Sequence, residues 1–93
     1  MSHFIMICFD VSEPRRLRRI ANELENFGQR VQRSVFECWL NDADLFELQK
    51  RLTHLMDPAE DHVRYYPLCP KDVADIQIDG PGAVTEDIDY TIL

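Results

Sequence analysis

Six consecutive apolar residues, Phe4 to Phe9, open the chain and end on a carboxylate, Asp10. A continuous run of this length suits a central strand covered on at least one face, so the first strand is predicted over His3–Asp10. Asp10 cannot enter that core unpaired, because an unpaired buried carboxylate costs several kcal/mol. It needs solvent, a cation or a proton. The pattern then becomes helical. Leu17, Ile20, Ala21, Leu24 and Phe27 recur at three- and four-residue intervals, with Ser12 as N-cap, Pro14 in the first turn and Gly28 just past the end. At about 100° per residue, Arg15, Arg16, Arg18 and Arg19 fall opposite that stripe, within roughly 160° of arc.

Residues 29–40, QRVQRSVFECWL, are rich in β-branched and aromatic side chains and contain neither Gly nor Pro. They are too long for one average strand, so two short strands or one bent ribbon are predicted, with a break near Arg33–Ser34. Phe36 and Trp39 suit core positions better than base-stacking platforms. Asn41 or Asp42 caps a second helix, whose buried stripe is Leu45, Leu48, Leu52 and Leu55 and which ends at Asp57–Pro58. His54 lies one residue off that stripe, with no second histidine at ligand spacing. A further strand follows over residues 62–68, HVRYYPL, and Pro67 either places it at a sheet edge or ends it.

The element order β-α-β-β-α-β is that of a ferredoxin-like α+β fold, with both helices on one sheet face. Residues 73–79 alternate weakly and are read as a fifth strand. Gly80, Pro81 and Gly82 make a turn, and Ile88, Tyr90 and Ile92 alternate in the tail. The domain reading is a ferredoxin-like unit over residues 1–69 and an acidic C-terminal strand and tail over residues 70–93. A strand left over after a complete unit is suited to adding onto a partner subunit's sheet.

Composition narrows the function classes. A chain of 93 residues is one small domain whose burial is marginal, so dimerisation would help it. Its 45% hydrophobic content argues against disorder, and no apolar segment reaches the ~20 residues of a membrane span. Cys8, Cys38 and Cys69 form no CxxC pair, and no signal-peptide pattern precedes the first strand. A cytoplasmic protein with reduced thiols and no zinc site is therefore expected.

The formal net charge is −7, which alone would argue against nucleic acid. The distribution of that charge argues the other way. Residues 1–40 carry six arginines against five acids, whereas residues 41–93 carry four basic groups against twelve acids. The asymmetry predicts a basic surface on the first half and an acidic tail. Four arginines near a helix N-terminus are either a solvated face or an anion site, since guanidinium groups and free helix N–H groups suit phosphate. Arg30 and Arg33 would extend the same surface. Asp10 likewise has two readings: it caps or pairs locally, or it holds a cation.

The segments FDVSEPRRLRRIANEL, GQRVQRSVFEC and LMDPAEDHVRYYPLC together resemble the CRISPR-associated protein two family, across roughly residues 3–69. That family is the small dimeric partner of the CRISPR integrase in spacer acquisition. The resemblance implies a ferredoxin-like fold, a face-to-face two-fold homodimer and a C-terminal strand exchanged onto the partner's sheet. It implies that Asp10 binds Mg²⁺ at the dimer interface. Arg19, Arg30, Ser34 and Phe36 match the family's helix-one arginine and its Gln-x-Ser-Val-Phe motif. Two departures stand out: Phe9 where a tyrosine commonly precedes the aspartate, and Arg33 where a tyrosine is usual.

Three functions remain in view. In the first, a dimeric scaffold bridges integrase subunits and holds DNA, or RNA, by phosphate contacts from Arg15, Arg16, Arg18, Arg19, Arg30 and Arg33, with Ser34 and Phe36 beside them. Such contacts are sequence-independent and salt-sensitive. The alternative is a metal-dependent endonuclease cleaving single-stranded RNA or double-stranded DNA, with Asp10 as catalytic metal ligand. Magnesium takes octahedral oxygen coordination, and one carboxylate per chain supplies it only if a two-fold dimer joins both copies of Asp10. The third is a small-molecule or regulatory ferredoxin-like domain. An RNA-recognition module is disfavoured, because no RNP1-like run lies on a central strand.

Overall fold

The strand predicted from the apolar run forms β1 (His3–Asp10) and lies inside the sheet. A computed structural model describes residues 1–87 of the chain. After β1 come α1 (Pro14–Leu24), β2 (Gln29–Gln32), β3 (Val35–Leu40), α2 (Asp42–Leu55), β4 (His62–Leu68) and a short α3 (Pro70–Ala74). The sheet order is β2-β3-β1-β4, with all neighbours antiparallel. This is the ferredoxin-like arrangement expected from the element order. The break between β2 and β3 falls at Arg33–Ser34, as expected, and a register irregularity between Arg30 and Gln32 bends β2.

Strand periodicity decides what each face does. Ile5, Ile7 and Phe9 of β1 point with Phe36, Cys38 and Leu40 into a core closed by Ile20, Leu24, Phe27, Leu48 and Leu52 of the helical layer. Val63 and Tyr65 of β4 pack onto the same core. The alternate residues form the second, helix-free face. There the register pairs Phe4 with Trp39 and Leu68, Met6 with Glu37 and Tyr66, Cys8 with Val35 and Arg64, and Asp10 with His62.

Two details of α1 differ from the sequence reading. Its N-cap is Glu13 rather than Ser12: the carboxylate accepts from the Arg15 and Arg16 backbone N–H groups at 3.0 and 2.8 Å. Its regular turns end at Leu24, short of Phe27, because the Phe27 and Gly28 N–H groups both turn back onto the Leu24 carbonyl. Gly28 does not adopt the positive φ of a left-handed cap; among the described residues only Gly80 and Gly82 do. Its role is space. A Cβ there would overlap Cys38 Sγ and lie 2.5 Å from the Glu37 carbonyl oxygen. Gly28→Ala is therefore expected to destabilise the domain by about 1–3 kcal/mol through overpacking, lowering Tm by several degrees per kcal/mol in a thermal melt.

The second helix starts where expected, with the Asn41 side chain accepting from the Asp44 N–H at 2.8 Å. Pro67 sits opposite Ile5 on β4, an edge strand, as its missing backbone donor requires. The fifth strand read over residues 73–79 is not present in this chain. Pro70 starts a helical turn instead, and residues 75–79 have no regular structure. The chain passes toward β2, where Gln77 and Ile78 line one concavity together with Gln29 and Val31, so it does not extend β4. It is fixed on its own subunit at Thr85, whose hydroxyl and N–H donate to Glu37 at 2.7 and 3.2 Å. The Trp39 indole N–H donates to the Thr85 carbonyl at 2.8 Å. The alternation at Ile88, Tyr90 and Ile92 lies outside the described residues. No helix among the described residues is long and apolar enough to cross a membrane.

Candidate nucleic-acid interface and the Asp10 site

The arginines divide into two groups with different work. Arg15, Arg18 and Arg19 are exposed on α1 and line one shallow concavity with Asn22. An adjoining concavity shares Arg18 and Asn22 and adds Arg30 and Arg33 from the β2–β3 ribbon, with Pro14, Leu17 and Ala21 as its floor. The ribbon lies beside α1, which brings together basic residues separated by about a dozen positions in sequence. Arg30 is held in place: its Nε and a terminal nitrogen donate to the Arg33 carbonyl at 3.1 and 2.6 Å, and its guanidinium lies 6.0 Å from the centre of the Phe36 ring. A pre-ordered guanidinium keeps further N–H groups for a phosphate at little extra entropic cost.

Arg16 belongs elsewhere, which corrects its placement among the phosphate contacts. Its Nε donates to Asp61 at 2.8 Å, and its terminal nitrogen reaches Asp61 at 3.3 Å and Glu60 at 3.1 Å. The Asp61 side chain has no solvent exposure, whereas that of Arg16 keeps 21%. Asp61 also accepts from the Asp57 N–H, so one carboxylate ties α1 to the loop between α2 and β4. Sequence reading did not single out Asp61. The only signal was an acid directly before a strand whose next apolar residue, Val63, faces the core.

Charge partners shift the titration of this cluster. Hydrogen bonding to Arg16 holds the Asp61 carboxyl below its ordinary range, against burial, which acts in the opposite direction. The Arg15 and Arg16 backbone N–H groups do the same for Glu13. Both groups are thus depressed in the folded state, so their stabilisation is complete above the ordinary carboxylate range and is lost as pH falls through the depressed values. Asp61→Asn is expected to cost about 2 kcal/mol at neutral pH and to flatten the acid side of the stability curve. Urea midpoints measured from about pH 7 downward check both effects.

Phe36 is fully buried beside Phe9, with ring centres 6.1 Å apart, so it cannot stack on a base. Its expected place among the nucleic-acid contacts is corrected: it supports Arg30 from below. Ser34 lies in the β2–β3 turn, where its carbonyl accepts from the Phe9 N–H at 3.0 Å. It ties the basic turn to the strand that carries Asp10.

Asp10 is exposed at the end of β1 on the helix-free face. Glu13 does the capping that a local role would have assigned to Asp10, and no ion pair within 4.0 Å involves Asp10 among the described residues. A hard-oxygen donor open to solvent suits a divalent cation. No group of three or more metal-ligating side chains converges among the described residues. One chain supplies a single exposed carboxylate here, and a complete shell would need a second copy. Cys38 offers nothing here, because burial pushes its thiol up to about 12, and all three cysteines are free.

A ferredoxin-like domain with a solvent-open carboxylate on its helix-free sheet face and a basic flank on its helical side is the class of protein that fold and site define. The chain belongs to the family described as CRISPR associated protein Cas2, whose model matches residues 2–76. It is 41% identical over 81 residues to a CRISPR-associated endoribonuclease Cas2 of Synechocystis sp., covering 87% of this chain and 88% of that one. Its fold is similar to the crystal structure of the hypothetical protein TT1823 from Thermus thermophilus, with TM-score 0.81 and 31% identity over 92% of this chain and all of that one. It is also similar to a chain of a partial Cas6-RT-Cas1–Cas2 complex, with TM-score 0.70 and 26% identity over 84% of this chain and 90% of the other.

Proposed function

We propose that this protein is a homodimeric nucleic-acid-binding subunit of the CRISPR adaptation machinery, pairing through its helix-free sheet face and holding duplex DNA along its basic flanks. The observation that carries this reading is the convergence of Arg15, Arg18, Arg19, Arg30 and Arg33 from two separate elements onto adjoining concavities. The similar chain within a Cas1–Cas2 complex supports an integrase subunit as partner. Phosphate contacts of this type carry no sequence information, which suits capture of arbitrary DNA. Beside the Thr85 segment, the helix-free face presents Met6, Val35, Tyr66 and Leu68 around polar groups, and two-fold pairing would cover it. Beyond Pro70 the chain is acidic, with six carboxylates against one lysine, and suits a basic protein surface rather than DNA. Fluorescence anisotropy on a labelled duplex, with size measured by sedimentation, tests both halves of the reading.

A second reading is favoured by the exposure of Asp10 and by the relative named an endoribonuclease. Two copies of Asp10, one from each subunit, would hold a divalent cation such as Mg²⁺ across the dimer axis. When bound, that ion would supply a polarised water and charge stabilisation at a phosphodiester. The chain's own part is to present the carboxylates on rigid strand ends, while the arginines position the backbone. Cytoplasmic residence fits both readings.

A further inference from the structure

Asp10 does not stand alone on its strand end. Its direct cross-strand partner in the β1–β4 ladder is His62, the first residue of β4. Directly opposed residues carry Cβ atoms about 4.5–5.5 Å apart on one face. Flanking residues fix which face this is. Phe9 and Val63 pack into the core, and Asp61 is buried toward α1. The alternate residues Asp10 and His62 therefore share the helix-free face, and both are exposed. Arg64, the nearest cation along β4, extends its guanidinium toward the Tyr66 hydroxyl at 3.4 Å, away from His62. The Arg16–Asp61 pair holds the start of β4 in place, so the imidazole is carried on a braced strand end rather than a free loop.

We propose that His62 is a second metal donor of each subunit, so that the dimer axis offers two carboxylates and two imidazoles. The proposal deepens the paired-Asp10 reading and rests on it. Its consequence is metal choice. Magnesium favours an all-oxygen shell and keeps several waters, whereas imidazole suits first-row transition ions. A mixed nitrogen–oxygen set favours first-row transition ions over Mg²⁺ without demanding tetrahedral thiolate chemistry, and Mn²⁺ is the paramagnetic probe of that class. Cys8 shares the face but opposes Arg64 and Val35 in the ladder, one pair removed from the site.

The test titrates Mn²⁺ into the full-length protein by calorimetry and records nitrogen modulation in the Mn²⁺ electron-spin echo. Wild type is compared with His62→Ala, Asp10→Asn and Cys8→Ser. The expected result is one ion per two chains with imidazole nitrogen coupling. His62→Ala should weaken Mn²⁺ at least about tenfold, since even groups outside the ligand shell cost that much, and should abolish the coupling. Mg²⁺ binding should persist, and Cys8→Ser should change nothing. If His62→Ala leaves Mn²⁺ affinity and coupling intact while Asp10→Asn removes binding, the His62 proposal is overturned and the Asp10 site stands. If Asp10→Asn also has no effect, or wild type binds no Mn²⁺, both fall. Both positions are exposed, so circular dichroism should confirm unchanged folding.

Discussion

Replacing Arg18, Arg30 and Arg33 together with alanine is expected to lower affinity for duplex DNA by at least about a hundredfold at moderate salt and to flatten its salt dependence. Each phosphate neutralised contributes about 0.9 to the slope of log K against log salt, so removing three contacts per subunit should reduce it by roughly 3 to 5, for one or both subunits on the duplex. The residues are chosen because they line one concavity and come from two elements. None of them is tied to a carboxylate in the fold within 4.0 Å among the described residues. Arg16→Ala is the contrasting variant. Its guanidinium is already engaged by Asp61 and Glu60, so its loss should lower the melting temperature while leaving the slope of the folded protein nearly unchanged. A triple variant that binds with the wild-type slope would remove this flank from the interface.

Asp10→Asn is expected to abolish metal-dependent cleavage of single-stranded RNA or duplex DNA, by two orders of magnitude or more, while leaving folding and duplex binding intact. Asparagine keeps the shape and removes the charge that a hard cation needs. The position is exposed, and no described ion pair within 4.0 Å is broken, so stability should change by no more than about 0.5 kcal/mol, as for surface substitutions away from special features. The assay compares wild type and variant with Mg²⁺, Mn²⁺ and chelator across pH ~6 to 9. Cleavage indifferent to Asp10 would leave the binding function and remove the nuclease reading.

What the sequence disclosed, and what it withheld, follows from the range of each signal. Local periodicity was enough for β1, both main helices, the β2–β3 break and β4, because burial of one face writes a period into the residues themselves. The run ending in Asp10 and the arginines opposite the α1 stripe were legible for the same reason. Tertiary partners were not. Arg16 looks like Arg15 and Arg18 in sequence, and only its meeting with Asp61, 45 positions away, separates a brace from a phosphate contact. Gly28 reads as a helix terminator, yet its requirement comes from Cys38 and Glu37 across the sheet. The weak alternation at residues 73–79 misled because a strand needs an edge as well as a pattern, and Pro70 turns the chain away from β4. His62 reads in sequence as an ordinary strand residue. Its significance depends on the antiparallel register that sets it opposite Asp10.

Phosphate capture is tested most directly by the salt dependence of wild-type binding to two duplexes of equal length and unrelated sequence. A dimer presenting five arginines per subunit, Arg15, Arg18, Arg19, Arg30 and Arg33, should give the same affinity for both, with a slope between about −4 and −9. A slope near zero, or a strong preference for one sequence, would contradict phosphate capture by the α1 and β2–β3 flank.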